Sequence, residues 1–497
     1  MQMKLHRLLI GFSLLGILIA GCKKWEDHNA VTDPALTKTL LQQIAADVNL
    51  SKFSELLIKS GMDKVLGSSK TFTVYAPTNA ALANLDASIV NDSAKLRAFV
   101  GNHIATQTYA TTTITAAQRV PMLNGKYQNL LAKTIEGATI VEADRFAANG
   151  VLQVIDKALP VLGNTWETLQ TSSAIPAAQK AYMLSLFRKV FDLTGAVQIG
   201  VDPSTGLPVY QAGTDSVSTN LFWRNVYDLR NESGQFTLFV LSDAAWNSEL
   251  AKYRPYCATI TNNADSTTAL ASWAVVKDLA VEGSYKPVVA TDTLLSRTGV
   301  KVPVNKASIV QTIKTSNGVI YIMDKVDVQP RDKIQPIVIQ AENYSGTFVA
   351  SGAANDPIDR RSNTYFRDRF NPLTNTTFRD VNIFNHGKAQ LNLLYRVNNV
   401  FSNVPYKAYW VALNDFNGGT TFSQKLAFGS PLANTFTLQN ANGYTAVPAN
   451  VFSEVLVGVT TLPAYQPVLN VFLTSANSTT TAANPLVCDY IRLEPQF

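Results

Sequence analysis

The sequence predicts a multidomain protein in which two similar α+β domains precede an all-β domain. The first observation is a repeat, because FTVYAPTNAAL at residues 72–82 returns as FTLFVLSDAAW at residues 236–246. A second pair, NGVLQVIDKAL at 149–159 and NGVIYIMDKVD at 317–327, lies a similar distance downstream in each half. Two matched motifs at matched spacing indicate a duplicated domain. The second observation is the change after Pro330 to runs that are typical of strands alone.

The first domain is expected over residues 36–160. Apolar residues at helical spacing extend to Met62, and Gly61 is the expected stop of this helical region. Residues 72–77 are typical of a buried strand, and Thr78 or Asn79 is placed to cap a short helix that follows Pro77. Asn-Gly at the start of the second motif predicts a hairpin. The second domain, residues 184–330, repeats this order with longer insertions.

The paired motifs resemble the two signature boxes of the fasciclin (FAS1) domain family. This resemblance implies two α+β fasciclin-type β-sandwich wedges, a fold used in cell adhesion and extracellular interactions and not known as an enzyme scaffold. Many members carry a Tyr-His pair between the boxes that is associated with partner binding. The matching place here holds Asn102-His103, and the second domain has no histidine, which weakens the transfer of that role. His103 is predicted to be a partly buried histidine with its hydrogen bonds satisfied, rather than a ligand.

The third domain, residues 334–497, is predicted to be an all-β jelly roll or β-sandwich. Its successive apolar runs are typical of strands, and turn-rich stretches separate them. IQAENYSG near the start and CDYIRLEP at the end resemble the first and last strands of carbohydrate-binding modules of the galactose-binding-like type.

This resemblance implies a structural calcium ion that bridges the first and last strands. The matching positions are Gln340, Glu342 and Asp489, whose oxygen atoms suit a hard cation such as Ca²⁺. The alternative is that Glu342 and Asp489 only hydrogen-bond the two ends of the domain to each other.

Sugar recognition requires flat aromatic faces with polar groups beside them. The candidate ligand-binding residues are Tyr365, Phe366, Tyr406 and Trp410. Because side chains alternate along a strand, Tyr409 and Trp410 are expected on opposite faces, with at least one in the core. Tyr365 and Tyr406 are therefore preferred over Trp410.

The N-terminus indicates export. Basic residues precede an apolar run from Leu8 to Ala20, which is typical of a secretory signal and short for a membrane span. The residues that follow resemble a bacterial lipobox, so residues 1–21 are predicted to be a lipoprotein signal peptide and Cys22 the acylated anchor. The alternative is an ordinary signal peptide with a chance cysteine. Residues 22–35 form the expected tether, and Glu26-Asp27 resembles a signal for export to the outer-membrane surface.

Composition restricts the function further. The net charge is +6 over 497 residues and no cluster of basic residues occurs, which argues against a nucleic-acid partner. Cys257 and Cys488 lie in different predicted domains and are expected to be buried free thiols rather than a disulfide. No common catalytic or phosphate-binding motif is visible, so a non-enzymatic role is predicted.

Two functions compete at this point. The first is a surface lipoprotein that binds extracellular polysaccharide or oligosaccharide beside an outer-membrane glycan transporter. The second is an adhesin or scaffold that binds protein or matrix partners through the fasciclin repeats.

Overall fold

The computed structural model describes residues 34–286, 291–349, 363–429 and 443–497. The predicted signal peptide, Cys22 and nearly all of the expected tether lie outside these residues. The chain divides into two compact units, of which the first contains residues 1–168 with the segments 229–235 and 314–319, and the second contains the remainder. Within the described residues, no helix combines the length and apolarity needed to cross a membrane.

The first domain combines five α-helices with seven strands. The helices are Leu40–Ala46 (α1), Ser51–Lys59 (α2), Met62–Leu66 (α3), Ala87–Val90 (α4) and Ser93–Gly101 (α5), and 3₁₀ turns cover Pro34–Thr37, Val48–Leu50 and Thr111–Thr113. The strands are Phe72–Pro77 (β1), Ile104–Ala105 (β2), Gln118–Pro121 (β3), Tyr127–Leu131 (β4), Thr134–Ile135 (β5), Ala138–Ala147 (β6) and Gly150–Ile155 (β7).

These strands form one sheet in the order β2-β1-β7-β6-β5-β4-β3, with β1 and β7 parallel and buried. Helices α1, α2, α3 and α5 bury their apolar faces against one side of it. The predicted hairpin is confirmed as β6–β7, and Gly61 ends α2 with a left-handed φ of 73°. The helix expected after Pro77 is absent: residues 79–84 form hydrogen-bonded turns, with the Ala81 amide donating to Thr78 Oγ1 at 3.2 Å.

The second domain repeats this arrangement with insertions. Its helices are Thr165–Thr171 (α6), Ala177–Ser185 (α7), Leu221–Asn225 (α8), Asp243–Tyr253 (α9) and Ala264–Val276 (α10), with 3₁₀ turns at Arg254–Cys257 and Lys306–Ser308. Its strands are Phe187–Phe191 (β8), Gln198–Val201 (β9), Pro208–Tyr210 (β10), Ser216–Asn220 (β11), Phe236–Leu241 (β12), Ala280–Glu282 (β13), Thr291–Leu295 (β14), Lys301–Asn305 (β15), Ile309–Thr315 (β16) and Gly318–Met323 (β17).

The central sheet of the second domain has the order β13-β12-β17-β16. The insertions form separate two-stranded ribbons, β8 with β11, β9 with β10, and β14 with β15. A short helix, Pro330–Lys333 (α11), follows the domain and begins with proline, which suits the first turn of a helix.

The asparagine of the second box does more than form a turn. Asn149 Oδ1 accepts from the Leu40 amide at 2.9 Å, at the start of α1. Asn317 Oδ1 accepts from the Thr165 amide at 2.8 Å, at the start of α6. Helix α6 therefore has the same hydrogen-bonded relation to the second box of the second domain that α1 has to that of the first.

The third domain contains strands only in its described part. They are Ile337–Gln340 (β18), Gly346–Val349 (β19), Asn363–Asn371 (β20), Thr376–Phe384 (β21), Leu391–Val400 (β22), Pro405–Trp410 (β23), Phe422–Phe428 (β24), Tyr444–Val447 (β25), Val455–Thr461 (β26), Gln466–Ser475 (β27), Leu486–Cys488 (β28) and Tyr490–Pro495 (β29).

Three sheets build this domain, with the strand orders β18-β29-β23-β26, β19-β22-β27-β24-β25 and β20-β21-β28. Apolar side chains of all three sheets meet in one core, and the first and last strands, β18 and β29, pair antiparallel. The fold class predicted from the sequence, two α+β domains followed by an all-β sandwich, is confirmed. Cys257 and Cys488 are buried and free, as expected.

Candidate functional site

The candidate site lies on the antiparallel hairpin β20–β21, which places Tyr365 and Phe366 on opposite faces. The register pairs Tyr365 with Asn382 and Arg367 with Asp380, so these four residues share one face of the hairpin. Phe366 and Phe370 belong to the other face. A single flat ligand therefore cannot stack on Tyr365 and Phe366 together.

Tyr365 has a half-exposed aromatic ring with a rigid support. Its ring lies 5.5 Å from that of Phe384 at an interplanar angle of 15°, and Phe384 in turn lies 5.9 Å from Phe416. Tyr365 is 49% exposed. We call Tyr365, Phe384 and Phe416 the aromatic ladder. It presents one ring to solvent and fixes the orientation of that ring by stacking.

An ion network lies beside the aromatic ladder. Arg367 Nε donates to Asp380 Oδ1 at 2.8 Å and Nη1 donates to Asp415 Oδ1 at 2.6 Å, while the guanidinium lies 5.1 Å from the Phe416 ring centre. Arg369 Nε lies 3.0 Å from Asp415 Oδ2. Burial raises the pKa of Asp380, although Arg367 opposes the shift. Asp415 and Arg369 keep exposed fractions of 24% and 37%.

Phe366 makes a separate, looser contact. Its ring lies 6.4 Å from that of Tyr344 at 14°, and it is 47% exposed. Phe366 is thus accessible, but it is not part of the aromatic ladder.

The positions of Tyr406 and Trp410 correct the sequence expectation. Tyr406 is 1% exposed and Trp410 is fully buried, so a sugar ring cannot stack on either side chain. Both lie on the inward face of β23, because residues four apart along a strand share a face. Tyr409 lies on the other face, where the guanidinium of Arg492 sits 4.5 Å from its ring centre.

The three residues expected to hold calcium fall at the ends of the domain. Asp489 is 7% exposed and Gln340 is exposed at the end of β18. Glu342 Oε2 is buried and has no hydrogen-bond partner in the described part of the chain. Burial, together with the negative charges of Asp380 and Glu342, raises the pKa of Asp489 to about 7.

These residues supply only part of a typical calcium site, but their oxygen atoms are of the type that a hard cation binds. Among the described residues, no group of three or more His, Cys, Asp or Glu side chains is arranged to hold a metal ion. The expected set contains only two such side chains, Glu342 and Asp489, and an amide. An unpartnered carboxylate oxygen beside a second crowded carboxylate is an environment that a hard cation would stabilise.

His103 of the first domain is structural, as predicted. It is fully buried, its Nε2 accepts from the Leu159 amide at 2.9 Å, and its Nδ1 therefore carries the proton that is donated to the Phe99 carbonyl at 2.9 Å. Burial lowers the pKa of His103 to about 4.

Sequence reasoning missed Phe384 and Phe416, the supporting members of the aromatic ladder. The register of the hairpin brings Phe384 beside Tyr365 across the turn at residues 372–375. Phe384 could have been identified from the alternation of aromatic residues along both strands of that hairpin. Phe416 lies in a loop, and its contact could not be read from strand alternation.

The fasciclin domain family model matches residues 48–161 and 220–328. The chain therefore contains two fasciclin domains, followed by the all-β sandwich.

Three solved structures are similar to parts of the chain. A FAS1 domain pair from the insect cell adhesion molecule fasciclin I shares 17% identity over 57% of this chain and 99% of its own, with a TM-score of 0.23. A family 35 carbohydrate binding module from Clostridium thermocellum shares 12% identity over 32% of this chain and 96% of its own, with a TM-score of 0.20.

The C-terminal CBM6 of LamC, a marine laminarinase from Zobellia galactanivorans, shares 17% identity over 32% of this chain and 98% of its own, with a TM-score of 0.16.

Proposed function

We propose that this chain is a non-catalytic, lipid-anchored outer-membrane protein that binds extracellular glycan at the cell surface through its third domain. The observation that carries the proposal is the half-exposed Tyr365 ring, stacked on Phe384 and bordered by the Arg367 ion network. The resemblance of the domain's first and last strands to carbohydrate-binding modules supports the same function.

The surroundings of Tyr365 suit a sugar ring. The C–H groups of a pyranose pack against a flat aromatic face, and the loss of ring mobility on binding is small because Phe384 already holds the tyrosine. Asp415 and Arg369 supply acceptors and donors for hydroxyl groups at the edge of that face. Sugars combine apolar faces with hydroxyl edges, so this pairing of groups favours a glycan over a purely apolar ligand.

Calcium is the proposed structural cofactor of the third domain. Glu342 and Asp489 would hold it, with Gln340 as a further oxygen donor. The unpartnered Glu342 Oε2 favours this role over mutual hydrogen bonding, since the backbone already joins the two ends through the Ala341 amide and the Asp489 carbonyl at 2.8 Å. Calcium should raise the midpoint of thermal unfolding, and Asp489→Asn should remove most of that increase. The exposed Asp368→Asn is the matched control. An equal increase in the Asp489→Asn variant would contradict the site.

Attachment through Cys22 supports a role near an outer-membrane glycan transporter. Two fasciclin domains separate the anchor from the glycan-binding domain in the chain, so they would serve as spacer and docking elements. Protease treatment of intact cells tests the exposure: digestion of the chain without lysis is the expected result, and protection until lysis would contradict surface display.

Affinity electrophoresis of the chain lacking residues 1–22 tests glycan binding. We expect retardation by at least one of a panel of plant, algal and host polysaccharides. Tyr365→Ala should weaken the affinity about tenfold, because one stacked aromatic ring typically contributes about 0.5–1.5 kcal/mol and 1.4 kcal/mol is a factor of ten. The matched control is Phe370→Ala, which removes a 54% exposed ring from the opposite face of the same strand.

The outcomes separate the competing functions. Retention that Tyr365→Ala weakens and Phe370→Ala leaves unchanged supports the proposed site, and loss with Phe366→Ala alone would move it to the other face. An absence of retention on every glycan would overturn the proposal and favour the adhesin or scaffold function of the fasciclin domains.

A further inference from the structure

A cavity of about 270 Å³ lies where the second fasciclin domain meets the sandwich, inside the second compact unit. Helix α10 forms one wall with Trp273 and Lys277. The segment that joins the two domains contributes Lys333 and Gln335, and strand β22 with its following loop contributes a third wall. The cavity is distant in sequence from the hairpin that carries Tyr365, and no residue of the aromatic ladder lines it.

The cavity is built on a firm contact between these two domains. The Ser402 amide donates to the Tyr256 carbonyl at 2.9 Å and the Tyr465 amide donates to the Ala258 carbonyl at 2.6 Å. Asn403 Nδ2 donates to the Pro255 carbonyl at 2.7 Å. Direct backbone hydrogen bonds of this kind hold the walls at a defined distance, so the cavity is preformed rather than induced.

Aromatic side chains form much of the lining. They are Trp273, Phe401, Tyr406 and Tyr465. Tyr406 and Tyr465 are almost fully buried, whereas Trp273 and Phe401 are only partly covered by protein. Trp273 and Phe401, the two partly covered rings, therefore give the cavity its apolar surface for the C–H groups of a small ligand.

Amide groups form the solvent-exposed rim. Gln335, Asn398 and Asn399 line the cavity and are exposed. Asn399 lies in β22 between Asn398 and Val400, and its φ is 60°. Its Oδ1 accepts from Tyr465 Oη at 2.7 Å, which fixes the amide at the rim. Fixed amides are suited to the hydroxyl groups of a ligand.

The lining of the cavity contains two lysines, of which only Lys333 has a carboxylate partner. Lys333 is neutralised by Asp278 at 3.0 Å, and its amine also donates to the Ala274 carbonyl at 2.6 Å. Lys277 makes no ion pair or side-chain hydrogen bond with the described residues and is only partly buried. No Asp or Glu belongs to the lining of this cavity. The free ammonium group of Lys277 would therefore favour a negatively charged ligand group.

We infer that this cavity binds one hexuronic acid unit, with Lys277 facing the carboxylate, the rim amides binding hydroxyls, and Trp273 and Phe401 packing against the ring. The volume is just below the range of about 300–1,000 Å³ that is typical for drug-sized ligands, so it suits a single sugar unit. This site is separate from the proposed glycan site at Tyr365 and does not rest on it.

Ligand-observed NMR titration of the chain lacking residues 1–22 tests the inference with glucuronate, galacturonate and their neutral counterparts, glucose and galactose. We expect the sugar acids to bind more tightly than the neutral sugars. Lys277→Gln should weaken binding of the acids about tenfold or more, whereas Lys277→Arg and the exposed control Lys306→Gln should retain it.

A second variant retains the Tyr465 hydrogen bond and lowers the preference of the cavity for acids. Asn399→Asp preserves an oxygen that accepts from Tyr465 and suits the positive φ, but it places a carboxylate at the rim. It should weaken binding of the acids more than that of the neutral sugars, because only the acids meet a like charge. Oligogalacturonides, run in parallel, distinguish a free sugar acid from the end of a polysaccharide, because only the latter gains affinity with chain length.

The inference is overturned if no sugar acid binds, or if Lys277→Gln binds the acids as the unmodified chain does. Tyr365→Ala serves as the reference for the other site. Sugar-acid binding that survives Tyr365→Ala but not Lys277→Gln assigns it to this cavity, and the reverse pattern assigns it to the hairpin.

Discussion

In both fasciclin domains a buried polar residue lies between the last long helix and the short edge strand. The strand registers identify the pair: Thr73 lies opposite Ala105 in the first domain and Thr237 opposite Val281 in the second. Counting back three residues from each partner places Asn102 and Asp278 at the same position. Both side chains are completely buried.

The two residues hold the chain that leaves each domain, but with different chemistry. Asn102 Nδ2 donates to the Leu159 and Pro160 carbonyls at 3.3 and 3.1 Å, and its Oδ1 accepts from Gln128 at 2.8 Å. Asp278 instead pairs with Lys333 of the exit segment and accepts from Ser296 at 2.8 Å. A neutral amide needs only hydrogen bonds, whereas a buried ion pair also requires both charges to leave water.

Both domains have a buried polar residue at this position, but the loss of stability expected when its contact is broken differs between the two domains. Loss of one partner from a hydrogen-bonded amide leaves unsatisfied polar groups. Loss of one partner from a buried ion pair leaves an uncompensated charge, which is more costly. The exit segment of the second domain should therefore depend more strongly on a single residue than that of the first.

Asp278→Ala should produce the largest effect, a loss of about 3–5 kcal/mol in the free energy of unfolding, because Lys333 remains buried without its partner. Asn102→Ala should lose about 1–3 kcal/mol. Equilibrium urea unfolding of each variant, with the transitions of the domains fitted separately, measures the difference.

The double variant Asp278→Leu/Lys333→Met is the control for this comparison. It removes both charges together and should recover most of the stability that Asp278→Ala loses. A loss from Asp278→Ala no larger than that from Asn102→Ala would show that the ion pair is not the critical contact.

The sequence was sufficient to predict features that rest on local pattern. The repeated boxes contain their own strand alternation and turn residues, so the duplication, the hairpins and the buried state of His103 could be predicted. Helix α6 could not, because its place in the second domain depends on a hydrogen bond from Thr165 to Asn317, which is remote in the chain. The Asp278–Lys333 pair was hidden for the same reason.

Among the candidate ligand-binding residues, the sequence identified an accessible aromatic ring only where the strand pattern leaves the side chain in solvent. Tyr365 lies on a hairpin whose polar pattern leaves both faces partly in solvent. Tyr406 lies on a strand in which it shares the inward face with Ala408 and Trp410, so the same alternation that separates Tyr409 from Trp410 also buries Tyr406. Applied to the whole of β23, the alternation of side chains therefore excludes Tyr406 as an exposed ligand-binding residue.

Acid should affect the first domain through His103, whereas the matching position of the second domain is Leu279. Burial lowers the pKa of His103 from 6.5 to about 4, so between these values the unfolded chain binds a proton that the native domain does not. Stability from this residue is complete above pH 6.5 and is lost as the pH falls toward 4, by about 3 kcal/mol in total. Urea unfolding of the first domain across this range measures the loss.

His103→Gln is the control for the acid effect, since glutamine can still accept and donate hydrogen bonds but does not titrate here. The slope of stability against pH between 6.5 and 4 should become shallower in the first domain only. An unchanged slope would assign the acid sensitivity to carboxylates instead.

The smallest expected effect concerns Thr73 and Thr237, where the two domains use the same chemistry. Thr73 Oγ1 donates to the Gln107 carbonyl and accepts from the Tyr109 amide, both at 2.8 Å. Thr237 Oγ1 donates to the Gly283 carbonyl at 2.7 Å and accepts from the Tyr285 amide at 2.9 Å. Each threonine thus fixes the loop that follows the edge strand.

Threonine-to-valine changes at these two positions keep the shape and remove both hydrogen bonds, so each should lose about 1–2 kcal/mol. Hydrogen exchange should accelerate at the amide of Tyr109 in one variant and of Tyr285 in the other, while the exposed Thr312→Val leaves both unchanged. Equal losses would show that identical chemistry at a matched position has an equal effect in both domains. A loss in one domain alone would mean that the diverged loops, not the threonine, determine how the edge strand is held.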